Sequence, residues 1–240
     1  CSSSANAIML AARLIRSNRL DRVVAGGCDA LTRFTLNGFL SLKILDFQAC
    51  RPFDETRAGL NLGEGAGFLV LESEKSLAEG NKKAICELTG YANTCDAYHQ
   101  TASSPEGDGP FRAMQGALEV SGVQPAAIDY INAHGTGTRN NDLSEGTAIT
   151  RLFNPDLPRI SSTKPFTGHA LGAAGGMEAV LSCLSIMKDI IYPNLGFSSP
   201  MNELNLIPET KLVENAGVHH VMTNAFGFGG NNTSLIFSRC

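Results

Sequence analysis

The sequence predicts an α/β fold with mostly parallel strands. Short apolar stretches that end in glycine or polar turns alternate along the chain with helical patterns. Two helical segments, at residues 2–16 and after His169, are apolar or small nearly all round, as buried central helices are. With 43% hydrophobic and 18% charged residues, the 240-residue chain can fill the core of one large domain or two small ones.

The expected elements run as follows. Ala5, Ala7, Ile8, Met9, Leu10, Ala12, Leu14 and Ile15 make the first buried helix. "RVVAGGCDA" reads as a buried strand ending in glycines, "RPFDETRAGLNLGEGAG" as a polar, glycine-rich connection, and "FLVLESE" as a strand. The chain turns polar at "SLAEGNKK", the expected boundary between residues 1–82 and 83–240. "AICELTGYANT" is strand-like, "DAYHQTASSPEGDG" a long loop, and "PFRAMQGALEVSGV" an amphipathic helix closed by Gly122. "IDYINA" is a strand running into "HGTGTRNND", followed by the helix "DLSEGTAITRLF" with Asp142 at its start. "RISSTK" is a strand, and "PFTGHALGAAGGMEAVLSCLSIMKD" a loop and a long apolar helix. The final "HHVMTNAFGFGGNNTSLIFSR" reads as two strands around a glycine turn.

Net charge is −4, so no chain-wide basic field is available to hold nucleic acid. The seven cysteines include no CxxC pair and sit mostly in apolar stretches, which fits core packing in a reducing cytoplasm better than disulfides or a zinc ribbon. No apolar run reaches the ~20 residues of a bilayer span, so no membrane insertion is expected.

Cys1, heading a helix, is the first candidate for chemistry. Unpaired N–H groups and the helix dipole stabilise a thiolate at such a terminus. It could be a lipid-bearing residue, an N-terminal nucleophile, or the reactive cysteine of a larger enzyme. A lipid anchor calls for a flexible polar tether, and a buried helix contradicts that. Of the five histidines, two sit in glycine-rich junctions: His134 in "NAHGTGT" after a strand, and His169 in "TKPFTGHALGAAGG" at a helix start with Lys164 upstream. If the two small-residue helices approach each other, Cys1 and His169 share one site. His99, His219 and His220 read as structural.

"GEGAG" resembles a dinucleotide fingerprint, but it precedes a strand instead of joining strand to helix. Arg13, Arg16, Arg19 and Arg22 suit a solvated face or a subunit contact better than an anion site. No metal-ligand spacing appears, so no metal is expected. In "NAFGFGG", Phe226 and Phe228 sit among glycines, either as a gate with cavity-facing N–H groups or as core rings at a β-turn.

"CSSS", "RPFDETRAGLNLGEGAGFLVLE", "NAHGTGT", "STKPFTGHALGAAGG" and "NAFGFGGNN" together resemble the β-ketoacyl-acyl carrier protein synthases, in order and across essentially the whole chain. The likeness is to the elongating Cys-His-His class. Initiating synthases have asparagine in place of the second histidine, and thiolases a second cysteine near the C-terminus. The resemblance implies a thiolase-like five-layer α/β/α/β/α fold. In this family the nucleophile stands mid-chain, so this chain is similar to the portion from that residue onward, without the N-terminal segment. Residues 1–82 then correspond to the remainder of the N-terminal half and 83–240 to the C-terminal half.

The function implied is decarboxylating condensation of an acyl-enzyme thioester with malonyl-acyl carrier protein, giving a 3-oxoacyl-acyl carrier protein. Cys1 would be the nucleophile, and His134 and His169 would stabilise the enolate. Lys164 would organise the site, with Glu145 linked to it through hydrogen bonds. The N–H groups of Cys1 and Phe228 would form the oxyanion hole, a contribution of ~3 kcal/mol per donor, with Phe228 also the gate. Thr136 and Thr138 would hold the phosphopantetheine arm. Phe39 falls near the acyl pocket, and Lys43 among the basic residues that meet the acidic carrier. No cofactor is implied, and the enzyme would be a cytoplasmic homodimer, or a heterodimer with a related subunit.

"CSSS" is closer to polyketide-type and aryl-polyene-type synthases than to many housekeeping fatty-acid enzymes, which leaves fatty acid, polyketide and polyene elongation open. The alternative is a non-catalytic chain-length-factor-like partner of such a synthase. Those relatives have usually lost the cysteine, and Cys1, His134, Lys164 and His169 all stand here. An N-terminal-nucleophile hydrolase leaves the other four motifs without a role.

Overall fold

Ala5, Ile8, Met9, Ala11 and Ala12 bury one side of the first helix, α1 (Ser3–Arg16), while Arg13 and Arg16 of its last turn stay in solvent. The computed structural model describes residues 1–240. After α1 come β1 (Arg22–Asp29), α2 (Arg33–Ser41), β2 (Gly65–Glu72), α3 (Glu74–Glu79), β3 (Glu87–Cys95) and α4 (Asp108–Ser121). Then follow β4 (Tyr130–Asn132), α5 (Arg139–Phe153), β5 (Arg159–Ser161), α6 (Lys164–Thr167) and α7 (Ala174–Lys188). The chain finishes with β6 (Ile190–Ile191), β7 (Val213–Glu214), β8 (His220–Gly227) and β9 (Asn231–Ser238).

The central sheet runs β3-β9-β8-β4-β5 and is mixed, which corrects the expectation of mostly parallel strands. Tyr130 of β4 pairs in parallel with Val221 and with Arg159, whereas β9 is antiparallel to both β8 and β3. The reason is the short glycine turn between β8 and β9. A parallel return needs a crossover of a dozen or more residues, and a turn this tight can only reverse the strand. β1 and β2 form a separate antiparallel pair, with Arg22 opposite Glu72 and Asp29 opposite Gly65.

Alternate residues of the central sheet feed two cores. Val221, Leu235 and Phe237 pack with Ile8, Ala179 and Ile186 of α1 and α7. Met222 and Ile236, on the other face, pack with Met114, Ala117 and Ile149 of α4 and α5. Ala25 of β1 joins the first core, so the β1–β2 pair lies on the far side of α1 and α7. The order is therefore helices, sheet, helices, sheet, in keeping with the thiolase-like layering. Val24, Phe68 and Val70 face outward from the last of these layers.

Helices α1 and α7 touch backbone to backbone. A Cβ on Gly175 would stand 2.9 Å from Ala5 Cβ, and the N–H of Gly176 donates to Ser4 Oγ at 2.7 Å. A Cβ on Gly67 would land on the main chain of Gly176 and Met177. Gly65 and Gly67 thus lie inside β2, where they seat α7, and not ahead of the strand as the sequence suggested. Residues Leu171–Lys188 are long and apolar enough to cross a membrane by length and composition, but they form a short helical turn and this core helix, 56% buried.

Three other expectations are corrected. Helix α2 went unrecognised, because its nine residues include Gly38 and only a short stripe of Leu36, Phe39 and Leu40, and none of them is buried. Helix α5 starts at Arg139, three residues before Asp142. Of the seven cysteines, all unpaired, only Cys50 and Cys183 are buried; Cys28, Cys95 and Cys240 are exposed.

Candidate active site

Three distant segments deliver the reactive groups. Cys1 immediately precedes Ser2, the N-cap of α1. His134 leaves the end of β4 in a loop clamped by two buried carboxylates of α5. Glu145 accepts from the N–H groups of His134 (2.9 Å) and Gly135 (2.8 Å). Asp142 accepts from those of Thr136 and Gly137, and its other oxygen from Phe53 at 2.8 Å. His169 does not head a helix, since α7 starts at Ala174. It is held in a strand-like bridge to the glycine-rich loop: its N–H donates to the Asn61 carbonyl (2.7 Å) and its carbonyl accepts from Gly63 (3.0 Å). Gly168, at φ 67°, makes the turn that admits it.

The Cys1 sulfur and a ring nitrogen from each of His134 and His169 lie within 4.8 Å of one another. The imidazoles meet edge to face, with centroids 5.2 Å apart. Both histidines are buried and Cys1 is half-buried. Neither ring nitrogen of His169 has a hydrogen-bond partner within the protein, and one of them belongs to the cluster with Cys1 and His134.

Lys164 supplies the local charge. Its ammonium pairs with Glu178 of α7, donates to the His134 carbonyl, and lies 3.3 Å from His134 Nδ1. With an ammonium donating to Nδ1, the neutral imidazole carries its proton on Nε2. Burial, with Lys164 adding repulsion, drives the pKa of both histidines well below 6.5. They are therefore neutral hydrogen-bond donors at physiological pH. The three ligand atoms are spaced as around a metal ion, but the Lys164 ammonium beside His134 opposes a cation there.

The acid paired directly with Lys164 is Glu178; Glu145 is linked to Lys164 only through the His134–Gly135 peptide group, whose carbonyl accepts from the ammonium and whose N–H donates to Glu145. Glu145 is turned to the His134–Gly135 backbone and to Asn224 Nδ2 at 3.1 Å. Burial pushes its carboxyl up to about 7 against these donors. Glu178 was missed, although a signal exists: it is the lone charge between His169 and Met187. An acid alone in an apolar helix needs a buried partner.

A cavity of about 90 Å³ opens over the three groups. Thr136 and Thr138 line it with hydroxyls 2.9 Å apart. Phe39 and Phe228 stack at its mouth, ring centroids 6.2 Å apart and 18° from parallel, with Phe228 44% exposed. Gly227 brings the Phe228 turn against Cys1: a Cβ on it would stand 3.6 Å from the Cys1 nitrogen. Lys43 is exposed, just past α2, and does not line the cavity.

Residues 1–76 match the β-ketoacyl synthase N-terminal domain, and residues 85–198 the β-ketoacyl synthase C-terminal domain. The chain belongs to the β-ketoacyl synthase family. It is 38% identical over 247 aligned residues to 3-oxoacyl-[acyl-carrier-protein] synthase 2 of Staphylococcus aureus strain COL, and 40% identical over 248 to that of Synechocystis. Each alignment covers all of this chain and 60% of the relative, so this β-ketoacyl synthase chain spans about 60% of the length of those relatives. Among solved structures it is similar to the ishigamide ketosynthase/chain length factor (TM-score 0.94, 35% identity, 59% of that chain). It also resembles a ketosynthase in complex with its chain length factor from Xenorhabdus doucetiae (TM-score 0.89, 38% identity, 58% of that chain). Both likenesses cover the whole chain, and the fold is the thiolase-like one of these ketosynthases.

Proposed function

We propose that the protein is an elongating 3-oxoacyl-acyl carrier protein synthase. The convergence of the Cys1 sulfur with a ring nitrogen of His134 and of His169 within 4.8 Å carries this reading. The Cys1 thiolate attacks the thioester of an acyl-carrier protein. The carbon–sulfur bond forms, the tetrahedral oxyanion rests on the N–H groups of Cys1 and Phe228, and on its collapse the bond to the carrier's pantetheine sulfur breaks, that sulfur leaving with the proton that Cys1 gave up. Malonyl-carrier protein then enters, its arm along Thr136 and Thr138.

Loss of carbon dioxide leaves the electron pair as an enolate on the malonyl thioester. The Nε2–H of His134 and the unpartnered ring of His169 donate to its oxygen. The enolate carbon attacks the acyl-Cys1 carbonyl, and Cys1 departs as the thiolate. Because the carboxylate supplies the electrons, the residues and two carrier-bound substrates suffice without a cofactor. Burial, with repulsion from Lys164 added, keeps both imidazoles neutral, and Lys164 fixes the His134 tautomer. The reaction serves fatty acid or polyketide chain elongation in the cytoplasm. The partners are acyl carrier protein, met by a basic patch that includes Lys43, and a second subunit of the same fold, either a copy of this protein or a chain-length-factor relative.

The test is intact-mass spectrometry after incubation with an acyl-carrier protein thioester, followed by peptide mapping. An acyl adduct on Cys1 is expected. A folded protein without one would make it the non-catalytic partner.

A further inference from the structure

Ser2 occupies the N-cap of α1, yet its hydroxyl makes no bond to its own helix. It donates instead to Asn231 Oδ1 at 2.7 Å. A serine in this position ordinarily caps an N–H of the first turn, a contribution of about 1 kcal/mol. Here the cap is given up for a contact 229 positions along the chain.

Asn231 is the first residue after the Phe228 turn, and its side-chain oxygen Oδ1 collects two further donors. Asn6 Nδ2 of α1 reaches it at 3.0 Å and Asn93 Nδ2 of β3 at 2.9 Å. The same two amides donate to Thr233 Oγ1, at 2.9 and 2.8 Å. Three donors on one oxygen settle which way the Asn231 amide is turned. The network ties the start of α1, next to Cys1, to the first residue of β9, three positions after Phe228. It also leaves the N–H groups of that first turn without a side-chain cap, so the positive end of α1 is undiminished beside the thiol.

We infer that Asn231 is a positioning residue: through Ser2 and Asn6, it holds the Cys1 sulfur and N–H in register with the Phe228 N–H. This deepens the reading of Cys1 and Phe228 as nucleophile and oxyanion hole, and rests on it. Asn231 touches no reacting atom. Its effect falls on reactions in which an oxyanion must be received while sulfur attacks, and not on the reactivity of sulfur alone.

The experiment compares two small reagents on the intact protein. p-Nitrophenyl acetate acylates the Cys1 sulfur through a tetrahedral oxyanion and expels p-nitrophenolate, so it needs the hole. Iodoacetamide alkylates the same sulfur by displacing iodide and forms no oxyanion. Asn231→Leu removes the common acceptor, Ser2→Ala removes one hydroxyl with little risk to folding, and Asn231→Asp keeps an acceptor oxygen for all three donors.

Asn231→Leu should lower the ratio of acylation to alkylation rate at least ~10-fold, since an ångström of misplacement costs about that or more. Ser2→Ala should lower it several-fold, and Asn231→Asp should restore it to within a few-fold of the parent. An unchanged ratio in both Asn231→Leu and Ser2→Ala would overturn the inference. So would equal loss of both rates in Ser2→Ala, which is the pattern of a merely structural role. A parent protein that reacts with both reagents but takes no acyl group from the carrier thioester would sink the proposed function and leave this positioning role standing.

Discussion

The Lys164 ammonium and the Glu178 carboxylate form a fully buried ion pair, and the same ammonium donates to the His134 carbonyl. Removing one partner strands a charge in the interior. Lys164→Met alone or Glu178→Leu alone should lower stability in urea by about 3–5 kcal/mol, whereas the double replacement should recover much of that loss. The double variant should nevertheless lose decarboxylation, because nothing then sets the His134 tautomer. A double variant as unstable as the two single losses combined would show that the pair is not coupled.

Cys1→Ala should abolish acyl loading in the intact-mass assay and leave the urea midpoint nearly unchanged. The thiol is half-buried, so its removal opens little cavity. Loading retained by this variant would exclude Cys1 as nucleophile.

His169→Ala should reduce decarboxylation of malonyl-carrier protein ~100-fold or more while slowing acyl loading far less, because its unpartnered ring is proposed to serve the enolate step. Equal losses would assign it another role. The parent's decarboxylation rate should not fall between pH 8 and pH 6, since both histidines keep the neutral form through that range. The unfolded chain takes up protons near 6.5 that the folded chain refuses. Stability from the two rings is therefore present above that pH and is lost as pH drops below it.

Glu145 has the opposite sign. Its folded pKa of about 7 lies above the ordinary 4.5, so the folded chain keeps a proton that the unfolded chain releases. Its contribution to stability is greatest below pH 4.5 and shrinks as pH rises towards 7. Glu145→Gln should remove that slope in urea titrations run across the window. It should also cost about 1–3 kcal/mol, because an amide N–H then faces a backbone N–H of the His134 loop. A parallel pH dependence in parent and variant would refute the assignment.

Gly175→Val places a branched side chain where a single Cβ already stands 2.9 Å from Ala5. Stability should fall by about 1–3 kcal/mol from overpacking. The acylation rate of Cys1 should fall with it, as α1 is pushed off α7. An unchanged rate would mean that this contact does not govern the site.

The α/β class and the residues that meet around the cavity were legible because they sit in local patterns, whereas the layered fold was expected only from the family resemblance. Cys1 borders an apolar helix, His134 lies between a strand and glycines, and His169 stands before a run of small residues. The helix-to-helix approach could be read from those alanines and glycines. What escaped was set by distant contacts. The partner of Lys164 could be Glu145 or Glu178 by residue type, and only the packing of α5 against the His134 loop turns Glu145 away. Strand direction depended on the length of one turn. The use of "AGLNLGEG" as the bracket for His169, and of Asn231 as the anchor for Ser2, left no periodic trace at all.

Ser2 and Asn231 are joined across 229 positions. Closing a loop of that length costs about 5 kcal/mol of chain entropy on the logarithmic scaling, before a single contact is returned. The thiol and the turn proposed to receive its oxyanion therefore come together only after β9 has docked on β8 and β3. On the proposed function, the last strand of the chain is thus the one that completes the oxyanion site around Cys1.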